Sequence, residues 1–388
     1  MQPAFRHTPN FPEPESPVSP SHDVRDMLAA MARLEKHANP FECEIDTVDA
    51  CEWDRIASGF EDLNYDQIAC YSAGQWGERI SHLLLRRHGK PVAGARVAIV
   101  RLPGMARGLA FLRFGPFWRR HGEPADFTIY RAMLGALMQE YCLRRGHFLT
   151  VIPRPNPEYY AQETQALAEF GFNVRRPVLD PNRYFVDLAL DEHAQKQSLD
   201  QKWRYNLRRS EANEFDIRLC TSQEDVRTFQ SLHAGMVERK GFRNADMVDL
   251  LPRLAAELPE NARPHIVLAS HRGRPVSGAA IAILGDTAYY VFGGSDDQSL
   301  PVKGGYALQW WIVRWLSRMN VRWYDLGGEA GELGLRQFKK GLVGKRGAVV
   351  DMTGEYDFWA KPSSRITGDA IYAIRSLHRT IRRWRYPA

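Results

Sequence analysis

The sequence predicts a mixed α/β protein in which one domain architecture occurs twice, and three observations carry that prediction. First, His88–Val100, HGKPVAGARVAIV, recurs as Arg272–Leu284, RGRPVSGAAIAIL, with the Gly, Pro, Val, Gly, Ala, Ala and Ile positions identical. Second, each copy begins with a turn-forming Gly-basic-Pro and continues as an apolar, partly β-branched run, the pattern of a tight turn feeding a buried strand. Third, each copy is followed by an amphipathic segment of helical spacing, Phe127–Arg145 and Tyr306–Met319, and then by another short apolar stretch. A length of 388 residues fits two domains, and 44% hydrophobic with 25% charged residues is the balance of an ordinary globular chain.

The elements follow in order. Pro3, Pro9, Pro12, Pro14, Pro17 and Pro20 fall in a stretch too poor in apolar residues to fold alone, so residues 1–22 are expected to be a disordered tail. The tail lacks the continuous apolar segment of a secretory signal, and Glu13 and Glu15 suit a transit peptide poorly. Val24–His37 reads as a first helix. In the first copy the expected strands are Ser81–Arg86, Val92–Arg101, Leu109–Phe114 and Phe148–Ile152, with a helix over Tyr159–Phe170 and a further strand at Tyr184–Leu190. A polar helix, Gln201–Asn213, carries Lys202, Arg204, Arg208 and Arg209. Helices over Ser222–Arg239 and Met247–Glu257 lead to strands at Ile266–Ser270, Val276–Leu284, Ala288–Gly293 and Trp323–Leu326. Short glycine-containing turns imply hairpins, and hence a mixed sheet flanked by helices in each half.

Five scattered cysteines (Cys43, Cys51, Cys70, Cys142 and Cys220) form no Cys-x-x-Cys pair, which argues against a zinc or redox centre and for a cytoplasmic, thiol-reduced protein. No run approaches the roughly 20 apolar residues that span a bilayer. The net charge of +6 is accounted for entirely by Lys361–Ala388, where seven basic residues face one acidic residue, Asp369. There Ile371, Ile374, Leu377, Ile381 and Trp384 recur at the spacing of one helical face. A basic amphipathic helix suits an anionic membrane surface, a lipid phosphate or an RNA backbone, or else it packs its apolar face onto the domain and leaves its arginines solvated.

The densest chemical signal is Trp323–Gly344, WYDLGGEAGELGLRQFKKGLVG. A strand ends in Gly327-Gly328, where backbone can approach a ligand closely, and a Phe-Lys-Lys-Gly turn is expected to close the segment. Phe338 would pack so that Lys339 projects inward, where an ammonium could stabilise the oxyanion of an acyl transfer. A plain structural turn with two solvated lysines is the competing reading of the motif alone.

This segment resembles the FemABX family of aminoacyl-tRNA-dependent peptidoglycan ligases. The resemblance rests on Tyr324-Asp325-Leu326-Gly327-Gly328, then Gly334-Leu335 and Phe338-Lys339-Lys340-Gly341, on Gly115-Pro116 after a strand, and on Lys202-x-Arg204-x-x-Leu207-Arg208-Arg209. It implies two tandem GNAT-like acyltransferase domains. Residues 23–187 would be the first, recognising the acceptor, and 188–345 the second, catalytic one. Residues 346–388 would return to the first domain and end in the basic helix. It further implies transfer of an amino acid from aminoacyl-tRNA to an amine of a peptidoglycan precursor, a lipid- or nucleotide-linked muramyl peptide, or of a related envelope acceptor, with no cofactor. Independently of the resemblance, the cysteine pattern predicts a cytoplasmic protein, and the C-terminal helix leaves peripheral contact at the inner face of the membrane open beside contact with tRNA or with its own first domain.

The resemblance assigns Lys339 to charge stabilisation and Phe338 to fixing its position. It places Tyr290 near the acceptor, against a competing role in the core, and gives Arg239 a phosphate contact, against a solvated helix end. Asp325 would either orient the incoming amine or accept backbone hydrogen bonds at the strand end, the second being favoured. In the first domain relatives tend to place a lysine after a Gln-x-x-Trp-like segment, whereas here Gln75-Trp76-Gly77-Glu78 leads to Arg79, which could hold phosphate instead. Two alternatives stand beside this reading. One is an acyl-CoA-dependent GNAT N-acyltransferase of exopolysaccharide or envelope biosynthesis, using Lys303-Gly304-Gly305 at a helix start. The other is a non-catalytic scaffold that binds precursors through the basic helix.

Overall fold

Each copy of the repeat folds as a hairpin turn and the strand that leaves it. In the computed structural model, residues 40–71, 79–178, 180–220, 222–240, 248–329 and 331–385 are described. The tail at 1–22, the helix expected over Val24–His37 and the Gln75-Trp76 segment lie outside them. His88 and Gly89 have φ of 53° and 73°, and Arg272 and Gly273 have 51° and 76°. Positive φ at both central residues is the type I′ geometry, whose twist suits an antiparallel pair. The second shared Gly, Gly94, leaves room for an aromatic ring, since a Cβ there would fall 2.3 Å from Phe117. At its counterpart Gly278 a Cβ would fall 2.8 Å from Phe229.

In chain order the elements are β1 (Phe41–Ile45), α1 (Ala50–Ala57), β2 (Arg79–Arg87), β3 (Lys90–Arg101), β4 (Gly108–Arg113), α2 (Phe127–Leu137, continuing as a π-helix to Arg144), β5 (Phe148–Ile152), α3 (Tyr160–Glu169) and β6 (Asn173–Arg176). They continue with β7 (Asn182–Asp187), α4 (Glu192–Ser198), α5 (Gln201–Glu211), β8 (Phe215–Leu219), α6 (Gln223–Lys240), α7 (Leu251–Glu257), β9 (His265–His271), β10 (Arg274–Leu284) and β11 (Thr287–Ser295). Then follow α8 (Ser299–Val302), α9 (Gly304–Leu316), β12 (Trp323–Asp325), α10 (Leu333–Val343), β13 (Ala348–Asp351), β14 (Glu355–Phe358) and α11 (Pro362–Arg385).

These strands form two seven-stranded sheets, ordered β1-β2-β3-β4-β5-β14-β6 and β13-β7-β12-β11-β10-β9-β8. In each, one central pair is parallel, β4 with β5 and β11 with β12, and the other neighbours are antiparallel. The two sheets are completed by exchange. β7 follows β6 in the chain yet lies between β12 and β13, while β14 follows β13 and lies between β5 and β6. A division after residue 187 therefore does not follow the sheets, because Asn182–Asp187 belongs to the second. The strand's own pattern of buried residues shows that it is in a sheet, but its hydrogen-bond partners decide which one.

The two halves share one apolar core, in which Trp53, Phe60 and Leu63 cluster with Phe229, Leu251, Ala282 and Tyr289. At its edge the β10–β11 turn plugs into the first half. Gly285 (φ 58°) lies so near Glu61 that a Cβ would fall 2.1 Å from the Glu61 carbonyl oxygen, and Asp286 N–H donates to that oxygen at 2.8 Å. The Asp286 carboxylate takes hydrogen bonds from Arg119 and from Arg154 (3.2 Å), both buried. Arg154 also donates to the Tyr289 hydroxyl at 3.1 Å, which donates in turn to Leu63 O at 3.0 Å. Burial pushes the Asp286 carboxyl up, but Arg154 and Arg119 outweigh it and hold it below the usual carboxylate range.

The C-terminal helix α11 packs against the first sheet at Leu109 and Phe148 through Ile371, and a Cβ on Gly368 would meet the Phe148 ring at 2.4 Å. The face expected from spacing is only partly the buried one. Ile371 is enclosed, whereas Ile374 is 41% exposed. Contact with the sheet follows the small residues Ser364 and Gly368, which admit close approach, rather than the row of larger apolar residues.

Asp286→Ala leaves Arg119 and Arg154 buried without their shared partner. It is expected to lower the unfolding free energy by about 3–5 kcal/mol, measured by denaturant titration.

Candidate active site

The second sheet opens where the first stays closed. β4 and β5 remain paired from Leu109–Phe148 through Arg113–Ile152, and Phe114 N–H still donates to Ile152 O at 2.7 Å. β11 and β12 pair only from Thr287–Trp323 to Tyr289–Asp325, after which β11 continues to Ser295 without β12. The register against β10 slips at the same point, with Ala280 opposite Phe292 and Ile281 opposite Tyr290, so that Val291 is the extra residue of a bulge. A bulge bends its strand, and here it falls immediately beyond the last β11–β12 pair.

Asp325, at the end of β12, organises the chain beyond it. One carboxylate oxygen accepts the Gly327 N–H at 2.8 Å and the other accepts Arg183 at 2.6 Å. Both oxygens are thus committed to holding the strand end and the neighbouring strand β7. Gly327 turns with φ 78°, and a Cβ on Gly328 would fall 2.4 Å from the Asp180 Cβ. The Gly328 carbonyl then accepts a hydrogen bond from Lys339 Nζ.

Lys339 sits on α10, so the expected Phe-Lys-Lys-Gly turn is corrected to the last turns of a helix. Leu333, Gly334 and Leu335 start that helix after Gly331, and the run through Val343 contains no proline. Consecutive helical positions point about 100° apart, which separates the neighbours Phe338, Lys339 and Lys340. Phe338 packs on Trp203 and Tyr306, with ring centroids 5.8 Å and 5.0 Å away. Gly341 lies under Trp203, Lys339 is 7% exposed, and Lys340 faces solvent.

Burial depresses the Lys339 ammonium to about 8, and the nearby Arg183 guanidinium adds to the effect. Asp325, Asp180 and Glu329 oppose it without cancelling it. Glu329 is held by the Tyr184 hydroxyl and by Asn182 at 3.2 Å. On the far side of Arg183 stand two residues of the first half, Phe114, whose ring centre is 5.4 Å from the guanidinium, and Tyr65, which hydrogen-bonds it. The arrangement provides a cation close to neutrality, in a wall of mixed charge, beside strands that have parted.

The other expected residues divide. Tyr290, on β11 just past the last β12 pair, packs against the same apolar cluster as Phe338. Its hydroxyl lies over Gly293, where a Cβ would be only 1.5 Å away, and burial pushes it up to about 12. Lys339 and Asp325 therefore belong to one region, with Phe338 on the same helix as the lysine, while Tyr290 shares only the apolar cluster on which Phe338 packs. Arg239 lies elsewhere. It lines an open cleft of about 570 Å³ with Arg274, Asp296 and Asp297, donates to Ser295 O at 2.9 Å and pairs with Asp297 at 3.1 Å. Ser295 is six residues beyond Tyr289, which is roughly 20 Å along a strand. Arg79 is exposed at the start of β2, in the first sheet, and no contact links it to Lys339.

Sequence reasoning missed Arg183, Tyr65, Asp180 and Glu329, and the last three had no signal. An arginine inside the strand NRYFVD was the one anomaly that could have pointed to a buried partner, since an unpaired charge is not tolerated there.

Residues 197–340, fewer than half of the chain, match the family described as Acetyltransferase (GNAT) domain. No curated protein sequence is matched. Among solved structures the chain is similar to FemX, with 14% identity, a TM-score of 0.66 and coverage of 82% of this chain and 97% of that one. It is also similar to the C-terminal domain (DUF2156) of a candidate lysylphosphatidylglycerol synthetase from Agrobacterium fabrum, at 11% identity and TM-score 0.52, covering 82% and 95%. L-PGS from Bacillus licheniformis follows at 14% and 0.50, covering 85% and 96%. At these identities the likeness is one of fold, two GNAT-type sheets in tandem.

Lys339→Met keeps the buried hydrocarbon stem and removes the penalised charge. The penalty on the ammonium is present in full below pH 8 and is relieved as pH rises from 8 towards 10.5, where only the unfolded chain still binds the proton. The variant is expected to be the more stable protein at pH 7, with its advantage shrinking across that window in denaturant titrations.

Proposed function

We propose that this tandem GNAT-fold acyltransferase, similar in architecture to FemX, is an aminoacyltransferase. It moves an amino acid from aminoacyl-tRNA to an amine of a peptidoglycan-precursor stem peptide or a related envelope acceptor. The observation that carries the proposal is the position of Lys339, a buried cation beside the opening between β11 and β12.

The ester of an aminoacyl-tRNA is already activated, so the protein has to orient the amine and stabilise charge. The amine attacks the ester carbonyl, the C–N bond forms, and the C–O bond to the ribose oxygen breaks, with the proton lost by the amine ending on that oxygen. Lys339 exchanges its donation to Gly328 O for donation to the developing oxyanion. Phe338 fixes the lysine through Trp203 and Tyr306, and Tyr290 is assigned to the acceptor side. Asp325 acts through position, holding Gly327 and Arg183. Arg239 is assigned to a phosphate-bearing part of the acceptor, which requires an extended molecule reaching roughly 20 Å along β11. Arg79, at the start of β2 in the first sheet, is assigned no role in the transfer step itself.

An acyl-CoA donor is the second reading, favoured by the start of α9, where Gly305 faces open space. Against it, Asp296 and Asp297 stand in the preceding loop, where a diphosphate needs donors. The scaffold reading gives no role to a buried lysine with a depressed pKa.

The test offers purified protein labelled aminoacyl-tRNA and, separately, labelled acetyl-CoA, with lipid-linked and nucleotide-linked muramyl peptides as acceptors. Transfer from tRNA is expected, reduced about 10²- to 10³-fold in kcat by Lys339→Met. The rate should fall as pH rises through about 8, where Lys339 loses its proton. Transfer from CoA alone, or tRNA-dependent transfer untouched by Lys339→Met, would sink the proposal.

A further inference from the structure

α11 carries its apolar residues on the wrong side for a helix that only packs on its own domain. Ser364, Gly368 and Ile371 are buried against the first sheet. At 3.6 residues per turn, Ile366, Ala370, Ala373 and Ile374 fall within about a third of the circumference, on the side turned away from that contact. Ile366 is 71% exposed and Ile374 41%. In the sequence the same spacing continues through Leu377, Ile381 and Trp384.

A second element brings exposed apolar surface to the same end of the molecule. The β3–β4 loop, Arg101-Leu-Pro-Gly-Met-Ala-Arg107, has Met105 49% exposed between two exposed arginines. Arg107 donates to the Ser363 hydroxyl at 2.7 Å and so ties this loop to the first turn of α11.

Positive charge accompanies both elements: Lys361 is exposed, Arg375 lies over the Phe111 ring on the packed side, and the sequence continues with Arg379, Arg382, Arg383 and Arg385. Asp369, the one acidic residue after Lys361, is neutralised by Arg175 (3.0 Å), Arg176 (2.8 Å) and Arg365 (3.6 Å).

We propose that α11 and the Arg101–Arg107 loop form a docking face for an anionic lipid bilayer, on which the helix lies in the plane of the interface. An apolar face with Arg101, Arg107 and Lys361 exposed at its end gains from both layers of such a surface, hydrocarbon burial for Ile366, Ile374 and Met105 and phosphate contact for the cations. An RNA backbone would use the cations but not the aliphatic side chains, which offer bases no stacking surface. Among the described residues no helix is long and apolar enough to cross a membrane, so the contact is one of lying on the surface.

The proposal is independent of the transferase reading and is tested without it. Full-length protein is floated with vesicles of phosphatidylcholine containing phosphatidylglycerol, and with vesicles of phosphatidylcholine alone. Flotation is expected with the anionic vesicles only. The double variant Ile366→Asp/Ile374→Asp, and separately Met105→Asp, should melt like the wild type because these side chains face water. The double variant should partition at least about tenfold more weakly. Absence of flotation with anionic vesicles, or a double variant that floats as well as the wild type, would overturn the proposal. So would binding of tRNA that is lost in the double variant, since that assigns the face to nucleic acid.

Discussion

The carboxylate of Asp286, held between Arg119 and Arg154, is the contact on which the rest of the molecule depends. It stands at the tip of the β10–β11 turn and locks that turn into the first half, with Gly285 against the backbone of Glu61. The same turn is the root of the β11–β12 pair, because the amides of Arg322 and Trp323 donate to the Asp286 carbonyl at 2.9 Å and 3.1 Å. Interdomain clamping and placement of the reactive strand end are therefore one feature. An ion pair so enclosed is weak evidence for stability as such. Its value here is orientation, since a shared carboxylate accepts both guanidiniums in one geometry only.

Exchange of β7 and β14 works to the same end. β7 brings Arg183 into the second sheet beside Asp325, and its neighbour Tyr184 reaches Glu329. Phe114 and Tyr65 close the region from the first half. The surroundings of Lys339 are thus drawn from both halves, although its helix belongs to one. Burial lowers the ammonium's pKa, and the carboxylates nearby limit the fall, which leaves a cation that persists at neutral pH yet is poorly solvated. Such a group interacts more strongly with a developing negative charge than a lysine in water does.

Much of the architecture was legible. The duplicated Gly-basic-Pro segments form equivalent turns and strands, and the strand positions at Phe148–Ile152, Val276–Leu284 and Trp323 are those that periodicity and β-branched runs imply. The strands β1, β6, β8, β13 and β14 were not legible, because they are short and charged residues interrupt or end their apolar positions, whereas the equally short β5 is an almost continuous apolar run. The helix containing Lys339 reads as a turn in isolation, since Gly334, Gly341 and Gly344 interrupt its pattern. α11 shows the same limit in another form: its apolar row is plain in the sequence, but small residues chose the packed face.

By itself the sequence determined the doubling of the fold, the elements with strong periodicity, the glycine-lysine segment as the place of interest and the concentration of positive charge at the C-terminus. These are local properties, set by spacing and side-chain type over a few residues. Tertiary structure alone decided which sheet receives β7 and β14, that β11 parts from β12 while β4 stays with β5, that Arg154 and Arg183 become buried partners of carboxylates, and that Arg239 lies apart from Lys339. Each of these depends on which distant backbone or charge comes alongside, and no local pattern encodes that choice.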